Sequence, residues 1–211
     1  MAPPELPQRP FHSIVFELDV LKVDDAADAG NKIVEKAKAI LSDPEGLKRI
    51  DSVDDCGQCA LHLCAKQCAM NMKPGAMLSN PAKTALAKLL VVAGAELELR
   101  DQFGATPLHI ATMTSEPDGS ITKVLCEAGA DVNAVENHFG SNALHLGCAT
   151  GLPMVLEPLL KAPGAKEALE AKDNGGALPI EIAKKKAAAL PYPFKSSAEL
   201  VRMIEAFKKK K

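Results

Sequence analysis

Four of the six cysteines lie close together in the sequence, and thiols grouped in this way can bind a metal ion or respond to oxidation. They are Cys56, Cys59, Cys64 and Cys68, and His62 stands among them. Thiolates and imidazoles are the usual ligands of protein-bound zinc, and two residues separate the first two cysteines, as in many zinc sites. One interpretation of this segment is therefore a metal-binding or redox-responsive protein.

Three histidines form a second candidate set because each follows a leucine in a similar stretch of sequence: His62, His109 and His145. Equivalent positions on successive packed helices lie about 10 Å apart, whereas a nucleophile and its base must lie about 3 Å apart. The sequence also holds no phosphate-binding glycine loop, nucleophile elbow or metalloprotease helix. We therefore expect structural histidines in a protein that is not an enzyme and that binds no cofactor or metal.

The elements that position these histidines are copies of one repeated unit. A six-residue motif that begins with glycine occurs at 57–62, 104–109 and 140–145, with a weaker copy at 176–181. A turn-forming residue stands three positions before each glycine: Asp54, Asp101, Asn137 and Asp173. An apolar helix that ends in Gly-Ala recurs at 89–98 and 124–133. Two blocks that recur at fixed offsets indicate a repeat architecture.

These blocks resemble the ankyrin repeat, whose signature is Thr-Pro-Leu-His. The stretch 101–133 is the best copy, and there a threonine precedes the proline at the first helical position. The resemblance implies an all-α solenoid of about five helix–turn–helix repeats, including degenerate N- and C-terminal caps, with short hairpin loops. It also implies structural roles for five motif residues: His62, Thr106, Pro107, His109 and His145.

The repeat register divides the chain. We predict a Pro-rich N-terminal arm over residues 1–19 and a single repeat domain over residues 20–211. The repeats are expected at 20–53, 54–100, 101–136, 137–172 and 173–208, of which the first and last are caps. The second repeat holds an insertion at 70–81 that is rich in Met, Pro and Gly. A partner-binding loop and an unselected surface insertion are the two interpretations of this insertion.

Three local features are less regular than the repeats. Residues 11–19 alternate partly like a strand, and an arm that packs on the repeats is the alternative. Gly30 and Asn31 are expected in the inter-helix turn of the first cap. Pro158 is expected to break or bend the second helix of its repeat, because proline has no backbone N–H to donate.

In the repeat register the cysteines have a simpler explanation than metal binding. Cys59 takes the position of the capping threonine, and Cys64 takes an alanine position, with Cys68 one turn later. Cys56 lies instead in a hairpin, so the four sulfurs are not expected to converge on one metal ion. We therefore prefer thiols that act as small apolar side chains, and we keep the metal or redox function as the alternative.

The ankyrin-repeat family generally binds partner proteins on a concave surface of hairpin tips and inner helices, and the resemblance implies the same here. Carried over residue by residue, the partner-binding positions are Gln102, Phe103, Ile110, Met113, His138, Phe139, Leu146 and Thr150. Phe103 and Phe139 either contact the partner or fold back onto the adjacent repeat. Asn133 matches the hairpin asparagine that is hydroxylated in this family, although an asparagine that bonds its own turn explains it equally.

Composition excludes other classes of function. Aromatic residues make up 3% of the chain and Trp is absent, so a base-stacking surface for nucleic acid is not expected. The net charge is −2, and the four lysines at 208–211 resemble a solvated helix end. The N-terminus lacks the apolar core of a signal peptide, and no apolar run approaches the about 20 residues of a membrane span. We expect a monomer in the cytoplasm, or alternatively the nucleus, that binds neither nucleic acid nor a membrane.

Overall fold

The computed structural model describes residues 9–19, 26–66, 81–113, 119–189 and 196–209, which contain twelve helices. The helices are α1 (Pro10–Asp19), α2 (Ala26–Ser42), α3 (Pro44–Lys48), α4 (Ala60–Ala65), α5 (Pro81–Val92), α6 (Pro107–Met113), α7 (Ser120–Glu127), α8 (Ala143–Thr150), α9 (Pro153–Lys161), α10 (Ala165–Glu170), α11 (Pro179–Ala189) and α12 (Ser196–Lys209). One isolated β-bridge joins Val135 to Asn142, and the described ranges hold no strand. None of the twelve helices combines the length and the apolar character that crossing a membrane requires.

Ten of the helices form two rows. The first row is α1, α4, α6, α8 and α11, which pack side by side in chain order. The second row is α2, α5, α7, α9 and α12, and each of these helices also packs on its partner in the first row. The short helices α3 and α10 follow α2 and α9. The predicted all-α solenoid of five helix pairs is therefore confirmed.

The core between the rows is built from leucine and alanine. Leu86, Leu144 and Leu156 are fully buried, and so are Ala87 and Ala111 at the contacts between neighbouring helices. Small side chains allow the 8–10 Å spacing of packed helices. This packing explains the low aromatic content: in the described residues, Phe11 is the one phenylalanine that is fully buried.

The first helix pair begins earlier than predicted. Residues 10–19 form helix α1 rather than a strand or an arm, and α1 packs against α2 and α4 as the first member of its row. Phe11, Ile14, Val15 and Leu18 are buried at the i, i+3, i+4, i+7 spacing of an amphipathic helix. The expected arm over 1–19 and the expected start of the first repeat at residue 20 therefore do not match the structure, in which this helix pair starts at Pro10.

Gly30 and Asn31 do not form a turn. Both residues lie inside α2, which runs without interruption from Ala26 to Ser42. Gly30 is buried, and a Cβ atom placed on it would lie 2.9 Å from the Cβ of Ala82 in α5. Glycine therefore marks a close approach of two second-row helices, and the predicted inter-helix turn at this position is wrong.

Pro158 does not break its helix. Helix α9 continues through Pro158 to Lys161. Proline cannot bond the carbonyl of Met154 one turn earlier, and the backbone of Gly119 lies directly against that carbonyl. The predicted break is therefore wrong, and the carbonyl that has no helical partner lies at the start of α7.

Several predictions fall on residues that the structure does not describe. These are the arm over 1–8, Cys68, the lysines at 210 and 211, and the Met-rich insertion from residue 70 to residue 80. The insertion lies between α4 and α5, where the sequence places it. Whether it binds a partner stays a prediction.

Candidate interaction surface

Four turns precede first-row helices and lie in register along the stack. We call them fingers, and they consist of residues 54–58, 101–105, 136–141 and 173–177. Successive fingers are joined by backbone hydrogen bonds. The N–H of Gln102 donates to the carbonyl of Cys56 (2.9 Å), and the N–H of Asn137 donates to the carbonyl of Phe103 (3.0 Å). The fourth finger is joined in the same way, from Asn174 to the carbonyl of Phe139 (2.8 Å).

A carboxylate holds each finger together from its first residue. In the second finger, Oδ1 of Asp101 accepts the N–H groups of Phe103 and Ala105, both at 2.9 Å. Asp54 and Asp173 play the same part in the first and fourth fingers. Carboxylates that accept N–H bonds in this way are charge-assisted anchors of tight turns. One side chain in each repeat therefore holds the residues of its finger together.

The third finger differs from the predicted pattern. Its anchor is Glu136 rather than Asn137, and it has one more residue between the anchor and the glycine. The Glu136 carboxylate accepts N–H groups from His138, Phe139 and Ser141 at 2.6 to 2.9 Å. Burial alone would raise the pKa of Glu136, but these three bonds outweigh burial and hold the pKa below its usual value. A longer side chain thus spans a longer turn.

Glycine is required where consecutive fingers touch. Gly104 has φ +72° and Gly140 has φ +61°, in the left-handed region that favours glycine. A Cβ atom on either residue would lie 2.4 Å from the side-chain amide of the next finger, that of Asn137 or Asn174 respectively. The motif glycines therefore allow both the turn and the stacking of one finger on the next.

Each of the three motif histidines uses both ring nitrogens. The Nδ1 atom of His109 accepts the backbone N–H of Thr106 (3.1 Å), which leaves the proton on Nε2 to donate to the carbonyl of Ala134, just before the third finger (2.9 Å). His62 and His145 also accept at Nδ1, and their Nε2 atoms donate to the carbonyls of Ala105 and Ala177 in the next fingers. Burial lowers the pKa of all three rings, so they are neutral at pH 7. These contacts give the histidines a structural role.

The last repeat replaces this histidine with a carboxylate. One oxygen of Glu181 accepts the N–H of Leu178 (2.8 Å), which is the bond that Nδ1 makes in the other repeats. A carboxylate accepts hydrogen bonds and donates none, so Glu181 supplies the first of the two histidine bonds and not the second.

A fourth histidine of this kind was missed in the sequence. Nε2 of His12 in α1 donates to the carbonyl of Gln58 (2.8 Å), as His62 and His145 do to the carbonyls of their neighbouring fingers. Pro10, Phe11 and His12 thus correspond to the Pro-Leu-His at 107–109. The signal that could have found them is this tripeptide, which has phenylalanine in place of leucine.

The cysteines do not form a metal site in the described residues. Cys59 and Cys64 are buried and Cys56 is exposed, as the repeat register predicts. Sγ of Cys59 lies 3.1 Å from Nδ1 of His62, in the place of the Thr106 hydroxyl. Burial raises the pKa of the Cys59 thiol, which favours the protonated, poorly ligating form. No three His, Cys, Asp or Glu side chains within the described ranges are arranged to hold a metal ion.

The two finger phenylalanines point into solvent. Phe103 is 58% exposed and Phe139 is 60% exposed, so neither folds back onto the adjacent repeat. The ring of His138 packs edge-on against Phe139, with ring centroids 4.3 Å apart. Gln102 and Met113 are exposed as well. The remaining predicted partner-binding residues are half-buried on first-row helices: Ile110, Leu146 and Thr150.

One further exposed ring lies on the first row. Phe16 in α1 is 60% exposed and stands four residues after His12, as Met113 stands four residues after His109. The two side chains therefore hold equivalent positions on first-row helices. Sequence reasoning missed Phe16 because it did not recognise α1 as part of a repeat.

Asn133 lies in the turn that follows α7. Its backbone N–H donates to Asp131 (2.9 Å), and its side-chain amide donates to the carbonyl of Gly164 (3.2 Å). These bonds account for an asparagine at this position without a modification. Its hydroxylation stays a prediction, to be checked by the intact mass of protein purified from cells.

Comparison with known proteins agrees with this architecture. The family model "Ankyrin repeats (3 copies)" matches residues 76–171. The chain is 36% identical over 105 residues to the B-cell lymphoma 3 protein of Homo sapiens, which covers 49% of this chain and 22% of that protein. It is 37% identical over 88 residues to the NF-kappa-B inhibitor delta of Mus musculus (42% and 26%). It is 31% identical over 86 residues to the nuclear factor NF-kappa-B p105 subunit of Gallus gallus (41% and 8%).

The chain thus spans about a quarter or less of the length of each of these relatives. The matched stretch begins before α5 and ends after α10, and it contains the second and third fingers. Helix pairs in two rows, glycine-centred fingers and histidines that bond neighbouring turns occur throughout it. Over residues 76–171, which are somewhat less than half of the chain, the protein is thus similar to the ankyrin-repeat family.

Proposed function

We propose that the chain binds its partner protein through an inner face, which consists of the four fingers and the exposed side of the first-row helices. Ankyrin-repeat domains mediate protein–protein interaction, and this chain is such a module. The observation that carries the proposed site is the exposure of Phe103 and Phe139 on adjacent fingers. Aromatic side chains are enriched among the residues that dominate binding energy at interfaces.

The construction of the fingers favours binding through these rings. Backbone bonds to Cys56, Phe103 and Phe139 and the carboxylate anchors fix the fingers before a partner arrives. A preformed surface loses little conformational freedom on binding. Burying one large apolar side chain contributes about 1.5–3 kcal/mol, so two finger rings supply a substantial part of a specific interaction.

The names of two relatives indicate a first partner to test. One is named as an inhibitor of NF-kappa-B and another as an NF-kappa-B subunit. We therefore propose an NF-kappa-B subunit as the candidate partner of this chain. The half-buried Ile110, Leu146 and Thr150 and the exposed Gln102, Met113 and His138 would complete the contact around the rings.

The proposal also covers the cellular location and the oligomeric state of the chain. We propose a non-catalytic monomer that acts as a scaffold in the cytoplasm, with the nucleus as the alternative. A net charge of −2 gives little attraction to the phosphates of nucleic acid, which favours a protein as the partner.

The test is capture of purified NF-kappa-B subunits by the wild-type chain and by a Phe103→Ala/Phe139→Ala variant. We expect the double variant to bind at least about tenfold more weakly, which corresponds to about 1.4 kcal/mol. The matched control is Val92→Ala/Met154→Ala, which removes two exposed apolar side chains from second-row helices.

Equal binding by the wild type and the finger variant would contradict the proposed site. Binding of no NF-kappa-B subunit would reject that partner. If the wild type also retained no protein above background from a cell extract, the function as a binding module would be contradicted.

A further inference from the structure

Five equivalent positions on the inner face carry information about the chemistry of the partner. Each stands four residues after the motif histidine, or after Glu181 in the last repeat, and each is exposed. In order along the first row, they are Phe16, Lys66, Met113, Ala149 and Lys185. The row therefore presents apolar and cationic side chains and no carboxylate at this position.

The carboxylates that the structure describes near this row are bound within the chain. Asp55 in the first finger forms an ion pair with Arg9 (2.8 Å), and Glu17 in α1 forms an ion pair with Lys36 (2.7 Å). Glu181 accepts the N–H of Leu178. The finger anchors are likewise occupied by backbone N–H groups of their own turns. Because these carboxylates already have partners, the five exposed side chains of the row set its charge. The charged side chains among the five are Lys66 and Lys185.

The apolar side chains of the row are large and exposed, like the phenylalanine rings of the fingers. Phe16 and Met113 are each more than half exposed, and Met113 belongs to the same repeat as Phe103. Exposed methionine and phenylalanine are typical of interface centres, where they adapt to apolar side chains. The inner face thus offers large apolar contacts, with Lys66 between Phe16 and Met113 and Lys185 two repeats after Met113.

We propose that the partner presents to this face a segment that combines acidic and large apolar side chains. This inference rests on the proposed function of the inner face and specifies its ligand. Opposite charge across an interface favours the correct partner and excludes segments of the wrong sign. A lysine-rich segment would meet Lys66 and Lys185 and be rejected.

The repeat spacing predicts a pattern in that segment. Neighbouring first-row helices lie about 8–10 Å apart, and an extended chain advances about 3.3 Å per residue. An extended partner would therefore place an acidic residue about three positions from an apolar one. A helical partner, which rises 1.5 Å per residue, would place them about seven positions apart.

The experiment uses a displayed library of random 16-residue peptides, selected on the full chain. We expect the selected peptides to be at least threefold richer than the input in Asp and Glu, together with Leu, Ile and Phe. The variant Lys66→Glu/Lys185→Glu should bind a peptide selected on the wild type at least tenfold more weakly, and should itself select Lys and Arg. The control variant Lys88→Glu/Lys166→Glu changes two exposed lysines outside the first row and should bind as the wild type does.

The outcomes separate this inference from the proposed function. Peptides that require Phe103 and Phe139 but lack acidic enrichment would overturn the charge inference and leave the binding site in place. Equal losses in the two lysine variants would also overturn it. Selection of no peptide above the empty support would overturn both. Matching unfolding midpoints by circular dichroism establish that each variant is folded.

Discussion

A neutral histidine supplies two different hydrogen bonds at once in this protein. Its ring accepts one hydrogen bond at Nδ1, from the start of its own helix, and donates another from Nε2 to a carbonyl further along the chain. A protonated ring would donate from both nitrogens and would lose the first bond. Because burial already lowers the pKa of His62, His109 and His145, protonation and folding oppose each other.

We therefore expect stability to fall as the pH drops below about 6.5. The unfolded chain takes up protons at its histidines near that pH, whereas the folded rings resist protonation until lower pH, so acid favours unfolding. The free energy of unfolding keeps its full value above about pH 6.5. Between that pH and the lowered pKa of the folded histidines, it decreases by at most about 1.4 kcal/mol per pH unit for each histidine. Urea unfolding at pH 7.5, 6.5, 5.5 and 5.0 measures this slope.

The variant His109→Gln tests the origin of the slope. Glutamine can accept and donate at the same positions without titrating. We expect the variant to fold and to show a slope reduced by about one third. An unchanged slope would assign the pH dependence to other groups.

The cysteines give a second prediction at the residue scale. Burial raises the pKa of the Cys126 and Cys148 thiols to about 12, and Cys59 and Cys64 are also buried, whereas Cys56 is exposed. Reaction with iodoacetamide requires an accessible thiolate. Brief labelling at pH 8, followed by peptide mass mapping, should modify Cys56 and leave these four buried cysteines unmodified until urea is added. Labelling of Cys126 at the rate of Cys56 would show that the core opens readily.

Among the helices, α7 and α9 depend on a contact between backbones. Gly119 has φ +59°, and a Cβ atom on it would lie 2.4 Å from the carbonyl oxygen of Met154. Alanine there should cost about 1–2 kcal/mol for the left-handed backbone and about 1–3 kcal/mol more for overpacking. The measurement is the free energy of unfolding of Gly119→Ala.

The matched control for this prediction is Gly94→Ala. Gly94 has φ +90°, and nothing lies within 4 Å of a Cβ atom placed on it. This variant should show the backbone cost alone. Equal losses in the two variants would mean that α7 and α9 can separate slightly without cost.

The sequence predicts some elements of this fold and not others for identifiable reasons. Thr106, Pro107 and His109 specify a helix start locally, so α6 and its equivalents were found from the motif. Helix α1 was missed because its Pro-Phe-His departs from the pattern. Gly30 resembles a turn residue, and its close contact with Ala82 depends on a helix far away in the chain.

The same distinction between local sequence signals and contacts with distant parts of the chain applies to the binding site. The fingers are local structures, so Gln102, Phe103, His138 and Phe139 could be placed from the motif spacing, although the extra residue of the third finger shifted its anchor to Glu136. The exposure of the rings depends on the packing of neighbouring repeats. Periodicity alone left two orientations open, and the structure shows the rings in solvent.

At the scale of the whole molecule, each helix pair packs mainly on the pairs next to it. Stability in such a stack is a sum of repeat and interface contributions, and end repeats open more easily than central ones. Removing a large buried side chain should therefore have different consequences at the two places. Phe11 lies in the first pair and Leu144 in the fourth, and both are fully buried.

We expect Phe11→Ala to reduce hydrogen-exchange protection in α1 and α2 while α6 to α9 keep theirs. Leu144→Ala should reduce protection in α6, α8 and α11 together, because α8 contacts both of its neighbours in the first row. Each substitution should cost about 2–5 kcal/mol in its own region. A uniform loss of protection in both variants would show that the stack unfolds as one unit.

The ring-to-carbonyl bonds all run in one direction, toward the C-terminal end of the stack, and Glu181 is the last residue of the series. The stack therefore has a polarity that governs how it can grow. A duplicated copy of residues 101–136 inserted after residue 136 would carry its own donor, His109, and its own acceptor, the carbonyl of Ala134. A copy appended after the last repeat would meet a carboxylate that offers no proton. Added repeats should therefore be tolerated better in the interior of the stack, where each histidine has a carbonyl acceptor, than after the last repeat.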